Sequence, residues 1–222
     1  DITISLNEAN KMMQDAKSAL TQGQNILKVK LGSDISHAIN VTKALAKEFK
    51  SATLLIDANQ AWSLEESLLY LDEVKACKLE LVEQPVLAKE LTALKEISHA
   101  SKIAILADEA VFTLADVKYV VENKCADMIN IKLMKCGGVS RAVAILEYAR
   151  EKGIKCMLGS MLEGPYSINA AIYLAFAYRD VIKYVDLDSP LLYSEPSDLL
   201  DFTYKGAEIT PNRVSLQQIS AR

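Results

Sequence analysis

Residues 26–31 read ILKVKL, and residues 128–133 read MINIKL. Apolar residues alternate with polar ones in both stretches, which is the pattern of a β-strand whose two faces have different surroundings. The polar face of the first stretch carries Lys28 and Lys30, and that of the second carries Lys132. Three further strand-like runs lie between the two stretches, so the lysine-bearing strands are four strands apart.

Strand-like runs alternate with amphipathic helical stretches along most of the chain. The apolar periodicity predicts eight strands, at residues 1–6, 26–31, 53–57, 79–83, 103–107, 127–133, 154–158 and 183–188. It predicts seven helices, at residues 7–22, 35–49, 64–76, 88–100, 113–123, 138–152 and 164–178. Ser63 with Glu66, and Thr113 with Asp116, have the spacing of a capping box at a helix start.

This alternation predicts an α/β protein with a TIM-like (β/α)7β barrel. An open, doubly wound sheet is the alternative, because a count of repeats does not establish closure. The sequence lacks both the GxGxxG fingerprint of dinucleotide-binding sheets and the GxxxxGK[ST] of P-loops. We assign residues 1–190 to the barrel domain and residues 191–222 to a tail with a short hairpin at 201–204 and 207–210.

The composition limits the classes of function. The 222 residues are 50% hydrophobic and carry a net charge of −4, so the chain can bury a large core and has no basic surface for nucleic acid. No uninterrupted apolar stretch reaches the ~18 residues of a membrane span. The four cysteines lack CxxC spacing and are predicted to be reduced thiols, which favours a cytoplasmic protein.

In a closed barrel, outward side chains pack against helices and inward ones fill the interior. Since Leu27 and Val29 are expected to face the helices, Lys28 and Lys30 should point inward, as should Lys132. Strands two and six of eight are opposed, so Lys30 and Lys132 are expected to approach a bound molecule from opposite faces. The alternative, a solvated edge strand with outward lysines, fits two opposed strands less well.

Three carboxylates, Asp57, Glu83 and Asp108, end the strands between the two lysine strands. Barrel enzymes place their reactive groups at these C-terminal strand ends. The alternative is that they cap helices, but Ser63 and Thr113 already suit that role in two cases, and glutamate is a poor N-cap residue. Three inward carboxylates repel one another and raise their pKa values unless a cation lies among them.

The residue types around this site favour a hard cation, because all-oxygen ligation is typical of Mg²⁺ or Mn²⁺. Both histidines, His37 and His99, lie in helical stretches, so a zinc site is not predicted. On the last strand Asp186 and Asp188 share one face with Tyr184 and are suited to bind an ammonium group. A polar turn explains the two aspartates equally well.

Two more stretches contribute polar groups at the same end of the barrel. Residues 159–163, GSMLE, follow strand seven at a helix start, where free backbone N–H groups can hold a carboxylate. Thr3 is expected to face inward on strand one. A capping or packing role is the default for Ser160 and Thr3, and residues 135–138, KCGG, are compatible with a tight turn.

In chain order, these motifs resemble the enolase superfamily in its muconate-lactonizing subgroup. The motifs are KVK at 28–30, DANQAW at 57–62, EQP at 83–85, DE at 108–109 and IKLMKCGG at 131–138. The DLD sequence at 186–188 resembles the DxD motif of dipeptide epimerases of the L-Ala-D/L-Glu type. The resemblance covers the whole predicted barrel.

The resemblance implies a role for each residue. Lys30 and Lys132 would be the acid/base catalysts of a two-base 1,1-proton transfer at the α-carbon of a small-molecule dipeptide. Asp57, Glu83 and Asp108 would bind Mg²⁺, which would stabilise an enediolate. The pocket would be lined by Thr3, Lys28, Ser160, the backbone at Leu162, Asp186 and Asp188. Lys28 would also lower the pKa of Lys30 by like-charge repulsion.

The family carries an N-terminal capping domain that this chain is expected to lack, and the tail 191–222 would pack with that domain. Homo-oligomers are common in the family, so one is predicted here. The same lysines and carboxylates would serve an o-succinylbenzoate synthase, an N-acylamino-acid racemase or a muconate cycloisomerase, and a barrel fragment without activity is a further alternative. The DxD motif ranks dipeptide epimerisation first, since the synthase substrate has no ammonium group.

Overall fold

The computed structural model of the chain describes residues 1–212. Eight parallel strands form one sheet, and their spatial order is their order along the chain. The strands are β1 (Ile2–Ile4), β2 (Ile26–Lys30), β3 (Thr53–Asp57), β4 (Leu81–Glu83), β5 (Ala104–Ala107), β6 (Met128–Lys132), β7 (Lys155–Gly159) and β8 (Ile182–Asp186). This sequential order is that of a barrel, because a doubly wound sheet reverses its strand order at a switch point.

Helices connect each strand to the next. They are α1 (Ala9–Thr21), α2 (Ile35–Glu48), α3 (Leu64–Val74), α4 (Leu91–Ala100), α5 (Leu114–Glu122), α6 (Leu133–Cys136), α7 (Val139–Lys152) and α8 (Pro165–Ala177). The seven predicted helices are confirmed, and α6 is an additional short helix. Both capping boxes are present: Ser63 accepts the Glu66 N–H, and Thr113 accepts the Asp116 N–H. Within residues 1–212, none of the helices combines the length and apolar character needed to cross a membrane.

The two ends of the sheet meet, so the barrel is nearly closed. The Thr3 backbone N–H on β1 donates a 2.9 Å hydrogen bond to Asp188 Oδ2, just beyond β8. The Asp1 amino group donates another, also of 2.9 Å, to Val185 O on β8. The predicted (β/α)7β barrel is therefore confirmed, and the open doubly wound sheet is excluded.

The hydrophobic core has two parts. The outer part lies between strands and helices and contains Leu27 and Val29, the residues predicted to face outward. The inner part fills the N-terminal end of the barrel with Leu55, Leu81, Leu106, Met128, Met157 and Tyr184. Toward the C-terminal strand ends the interior is polar, with buried Lys28, Asp57, Glu83, Asn130 and Asp186. The interior of the barrel therefore has an apolar base and a charged mouth.

The predicted C-terminal hairpin is formed by β9 (Phe202–Lys205) and β10 (Glu208–Pro211), each one residue later than expected. Phe202 is buried beside Tyr173 of α8, with 4.9 Å between the ring centroids. The hairpin therefore packs on the barrel itself. The end of the predicted tail, residues 213–222, lies outside the described residues.

We expect the Leu81→Ala variant to lose about 2–5 kcal/mol of unfolding free energy. Leu81 is fully buried in the inner part of the core, and neighbouring strands can fill the resulting cavity only in part. Urea unfolding followed by circular dichroism measures the loss. Leu69→Ala on α3, where the leucine is 50% exposed, is the control and should change stability by less than about 0.5 kcal/mol. Equal losses in both variants would contradict the placement of Leu81.

Candidate active site

A cavity of about 380 Å³ opens at the C-terminal ends of the strands. Nine of the eleven residues that the sequence analysis assigned to the site line this cavity. They are Thr3, Lys28, Lys30, Asp108, Lys132, Ser160, Leu162, Asp186 and Asp188. The other two, Asp57 and Glu83, are fully buried beneath it and contact Lys28. The fold thus brings all eleven residues into one region.

The two lysines expected to form an acid/base pair reach the cavity from β2 and β6. Lys30 Nζ donates hydrogen bonds of 2.8 Å to Asp57 Oδ2 and 2.8 Å to Asn59 Oδ1. Lys132 Nζ donates one of 2.7 Å to Asp108 Oδ2 and is largely buried. Burial lowers the pKa of Lys132, but the Asp108 and Glu83 carboxylates together outweigh burial, so this pKa lies above its ordinary value.

The three carboxylates lie side by side on adjacent strands. Asp57 and Glu83 are paired in the register of β3 with β4, and Asp108 directly follows β5. Burial raises the pKa of Glu83 to about 8; the charge of Lys28 opposes this shift, and those of Asp57 and Asp108 add to it. Burial also raises the pKa of Asp108, but two neighbouring lysines outweigh it and bring this pKa to about 2. Burial therefore dominates the pKa of Glu83, whereas the neighbouring lysines dominate that of Asp108.

Lys28 is almost completely buried, with 1% of its surface exposed. Its Nζ lies 2.7 Å from Asp186 Oδ2, 2.9 Å from Glu83 Oε2 and 3.2 Å from Asp57 Oδ2. Burial lowers the pKa of Lys28, but the three carboxylates outweigh burial and hold it well above its ordinary value. The family resemblance implies that Lys28 repels the charge of Lys30. In the structure three carboxylates share the charge of Lys28, and an effect on Lys30 stays a prediction.

Lys135 is a site residue that the sequence analysis missed. It lies on α6, and its ammonium group contacts the Asp108 carboxylate, the Asp108 carbonyl oxygen at 2.6 Å and the Asn130 carbonyl oxygen at 3.0 Å. Burial lowers the pKa of Lys135 and outweighs the opposing effect of Asp108. The sequence of this segment is compatible with a tight turn, and the one signal in it is a second lysine about one helical turn after Lys132. Lys135 orients Asp108 in the wall of the cavity.

The residues expected to bind an ammonium group lie at the end of the last strand. Asp186 ends β8, and Asp188 follows it before a short 3₁₀ helix, Ser189–Leu192. Asp186 accepts a 2.7 Å hydrogen bond from Lys28, whereas Asp188 accepts the Thr3 backbone N–H. Asp188 is therefore both part of a polar turn and part of the cavity wall, so the two interpretations of the sequence are compatible.

The loop between β7 and α8 forms another wall. Ser160 Oγ donates a 3.3 Å hydrogen bond to the Asp186 carbonyl oxygen, which joins this loop to β8. The buried Glu163 carboxylate accepts the Met161 N–H at 3.0 Å, so one of the backbone donors expected to be free is already satisfied. Leu162 is 75% exposed and lies at the rim. The loop thus supplies an apolar edge as well as polar groups.

The ligand types of the site fit a hard divalent cation. The carboxylates offer only oxygen, which Mg²⁺ prefers, and neither His37 nor His99 lines the cavity. Glu83 Oε2 accepts no hydrogen bond from the described residues, although Lys28 Nζ is 2.9 Å away. Among residues 1–212, no three acidic, histidine or cysteine side chains converge as metal ligands, since lysines contact these carboxylates instead. A Mg²⁺ ion held by these oxygens would replace part of the lysine contacts.

Curated relatives resemble the chain over most of its length. An L-amino acid-D/L-Glu epimerase of Sulfurimonas denitrificans is 62% identical over 211 residues, which are 95% of this chain and 62% of that protein. An L-Ala-D/L-Glu epimerase of Clostridium acetobutylicum is 43% identical over 200 residues, which are 87% of this chain and 55% of that protein. The chain therefore spans less than two thirds of the length of these relatives.

Solved structures and a family model extend this similarity to the fold. A substrate-liganded L-Ala-D/L-Glu epimerase from Bacillus subtilis has a TM-score of 0.89 at 36% identity, over 96% of this chain and 60% of that one. A dipeptide epimerase from Cytophaga hutchinsonii, complexed with Mg and D-Ala-L-Val, has a TM-score of 0.88 at 29% identity, over 96% and 59%. The family described as "Enolase C-terminal domain-like" matches residues 11–213. The resemblance to the enolase superfamily is thereby confirmed, and the chain belongs to the enolase C-terminal domain-like family.

Proposed function

We propose that this chain is the catalytic barrel of a Mg²⁺-dependent dipeptide epimerase of the L-Ala-D/L-Glu type, an isomerase that inverts one α-carbon. The observation that carries the proposal is that Lys30 and Lys132 reach one cavity from strands four positions apart in an eight-stranded barrel. Inversion by proton transfer needs a base on one face of the α-carbon and an acid on the other. The activities named for the relatives support the same reaction.

Proton transfer is assigned to the two lysines. One takes the α-proton as general base, while the other, protonated, donates a proton to the opposite face; each contributes about 10²–10⁴-fold. The carboxylates of Asp57 and Asp108 hold the two amino groups at the cavity. A bound Mg²⁺, held by Asp57, Glu83 and Asp108, would stabilise the negative charge that grows on the substrate carboxylate as the α-proton leaves.

Substrate binding is assigned to the wall formed by β8 and its neighbours. Asp186 and Asp188 place two negative charges where the α-ammonium group of a dipeptide can bind. Thr3 and Ser160 orient this wall through their hydrogen bonds to the β8 end, and Leu162 supplies apolar contact at the rim. We infer that side-chain selectivity is set in part by residues at this rim.

The proposal is tested by α-proton exchange in D₂O with Mg²⁺ and a library of L,L-dipeptides that includes L-Ala-L-Glu. The protein expressed from the complete gene and the 222-residue chain are measured side by side. Exchange with inversion for at least one dipeptide supports the epimerase. Absence of exchange from both proteins across the library would reject it.

N-acylamino-acid racemisation is the second candidate, and one observation favours it. The Asp186 carboxylate is already paired with Lys28 at 2.7 Å, as expected if no substrate ammonium group has to bind there. A dipeptide and its N-acetylated form separate the two functions. A dipeptide epimerase should process the free dipeptide much faster, whereas faster turnover of the acetylated compound would support the racemase. The other activities of the subgroup would process neither compound.

We further propose that residues 1–190 form the barrel domain and that the tail 191–222 packs beside a capping domain. Apolar side chains are exposed around the mouth of the barrel, with exposures of 51% for Leu6, 65% for Met134, 75% for Leu162 and 62% for Leu192. A covering domain would bury this rim and exclude water from the cavity. The complete gene product should then be more active than the 222-residue chain.

We also propose that the protein is a homo-oligomer. The molar mass of both proteins, measured by light scattering, tests this prediction.

We expect Gly159→Ala to lower kcat by roughly 10²-fold, because small displacements of catalytic groups have effects of this size. Gly159 on β7 lies opposite Lys132 in the strand register. An added Cβ would come within 2.8 Å of Asn130 Oδ1 and 3.1 Å of Lys132 Cε, so both side chains must shift. Steady-state kinetics measure the effect.

Gly164→Ala is the matched control for this prediction. Its added Cβ would meet no atom of the described chain within 4 Å, and its φ of −75° suits alanine. Gly164→Ala should therefore keep nearly full activity. Unchanged kcat in folded Gly159→Ala would show that the close approach of Gly159 to Lys132 has no role in positioning this lysine.

A further inference from the structure

Lys28 contacts both the proposed metal ligands and the aspartate proposed to bind the ammonium group of the substrate. Its ammonium group is within 3.2 Å of Asp57 and 2.9 Å of Glu83, two of the proposed metal ligands, and within 2.7 Å of Asp186. Within the described residues, no other ammonium group forms ion pairs with more than one of these three carboxylates. Lys28 therefore lies at the junction between the metal ligands and the ammonium-binding wall.

The burial of this cluster makes its charge balance important. Asp57 and Glu83 have 0% of their surface exposed and Asp186 has 6%, so water cannot screen their mutual repulsion effectively. A buried carboxylate without a positive partner strongly destabilises a fold. The ammonium group of Lys28 supplies that partner for Glu83 and Asp186, and it shares Asp57 with Lys30. A divalent cation among the same oxygens would supply twice the charge.

We propose that Lys28 is the internal counter-ion of the metal-free site: its ammonium group binds Asp57, Glu83 and Asp186 together, and a divalent cation displaces it from Asp57 and Glu83. The proposal rests on the Mg²⁺ site of the proposed function. Asp186 is not among the proposed metal ligands, so Lys28 keeps that contact when the ion binds. Lys28 then competes with Mg²⁺, and its charge weakens the affinity of the site for the ion.

Two variants of Lys28 test the competition. Lys28→Met keeps an unbranched side chain of similar volume, and Lys28→Gln keeps a polar group without the charge. In metal-free buffer the melting temperature of each variant should fall by on the order of 10 °C relative to the unaltered protein. Saturating Mg²⁺ should reverse most of this loss, and isothermal titration calorimetry should show Mg²⁺ binding at least about tenfold tighter than in the unaltered protein.

Lys75→Met is the matched control. It removes the same charge from a pair with Asp72 in which both side chains are about 70% exposed. Screening by water and salt should leave its Mg²⁺ affinity within about twofold of the unaltered protein. Tighter Mg²⁺ binding in this control as well would show that net charge, rather than displacement of Lys28, explains the effect.

The outcomes separate this inference from the proposed function. If the unaltered protein fails to bind Mg²⁺, both the metal site and the counter-ion proposal are wrong. Normal Mg²⁺ binding by the unaltered protein, with equal or weaker binding by folded Lys28 variants, would overturn the counter-ion proposal alone. Lys28 variants that fold only with Mg²⁺ support it. Variants that stay unfolded even at saturating Mg²⁺ would show that a metal ion cannot replace this ammonium group.

Discussion

Lys132→Ala should reduce epimerisation by roughly 10²–10⁴-fold, and Lys30→Ala should reduce it to a similar extent. Each variant lacks the acid or the base on one face of the α-carbon, whereas the lysine on the other face is retained. The effect is measured as the rate of interconversion of the two dipeptide epimers. Lys43→Ala, which removes an exposed lysine paired with Glu73 on the outer surface, should retain nearly full activity.

Exchange of the α-proton with solvent deuterium shows which face of the α-carbon each lysine serves. Each variant keeps one lysine, and in one of the two epimers the α-proton points toward that lysine. In D₂O the variant should still remove this proton and return deuterium to the same face of the α-carbon. Lys132→Ala and Lys30→Ala should therefore exchange opposite epimers, each with retention of configuration. Near-normal interconversion by either variant, or exchange of the same epimer by both, would refute the two-base assignment.

Removal of the divalent cation should abolish epimerisation, and Glu83→Gln should reduce it by about 10³-fold or more, since metal stabilisation of developing charge is worth several kcal/mol. Glutamine has almost the same shape as glutamate but lacks the negative charge. Glu83 is fully buried, and its Oε2 accepts no hydrogen bond from the described residues, so it is suited to bind a cation. Activity after EDTA treatment and titration with Mg²⁺ measures both effects.

Glu96→Gln is the control for this second prediction, because Glu96 is exposed on α4, on the helical surface of the barrel. It should leave both the activity and the Mg²⁺ requirement unchanged. Full activity in EDTA-treated protein, or wild-type Mg²⁺ affinity in Glu83→Gln, would contradict the assignment of Asp57, Glu83 and Asp108 as metal ligands.

The strand positions and directions followed from short-range patterns. The alternation at 26–31 placed Leu27 and Val29 outward and Lys28 inward, and the structure has them so. The alternation predicts these directions because both faces of a barrel strand are buried. The apolar residues pack against the helices, so the polar residue between them is directed to the interior of the barrel. The capping box at Ser63 marked the start of α3 for an equally local reason, since it involves only residues three apart.

The extra helix α6 was missed because its four residues are too few to show a helical period. Its functional consequence was missed as well. Lys135 reaches Asp108 across a separation of 27 residues, and periodicity carries no information about such a contact. The KCGG segment was compatible with a turn, and the burial of its lysine depends on how β5 and β6 lie beside each other in the sheet.

The amino-acid sequence was sufficient for the alternation of strands and helices and for eleven polar and apolar residues that gather at one end of the barrel, because strand alternation and the C-terminal strand ends are local properties. Closure of the sheet and the contact of Lys135 with Asp108 were decided only by the tertiary structure. The pairing of charges within the site required the folded barrel. Lys28 and Asp186 are 158 residues apart along the chain and become partners only when β8 returns to the start of the sheet. Closure of the barrel places the ammonium group of Lys28 among the carboxylates of Asp57, Glu83 and Asp186. Because these groups are buried, the attraction between their opposite charges is strong and determines which of them are in contact.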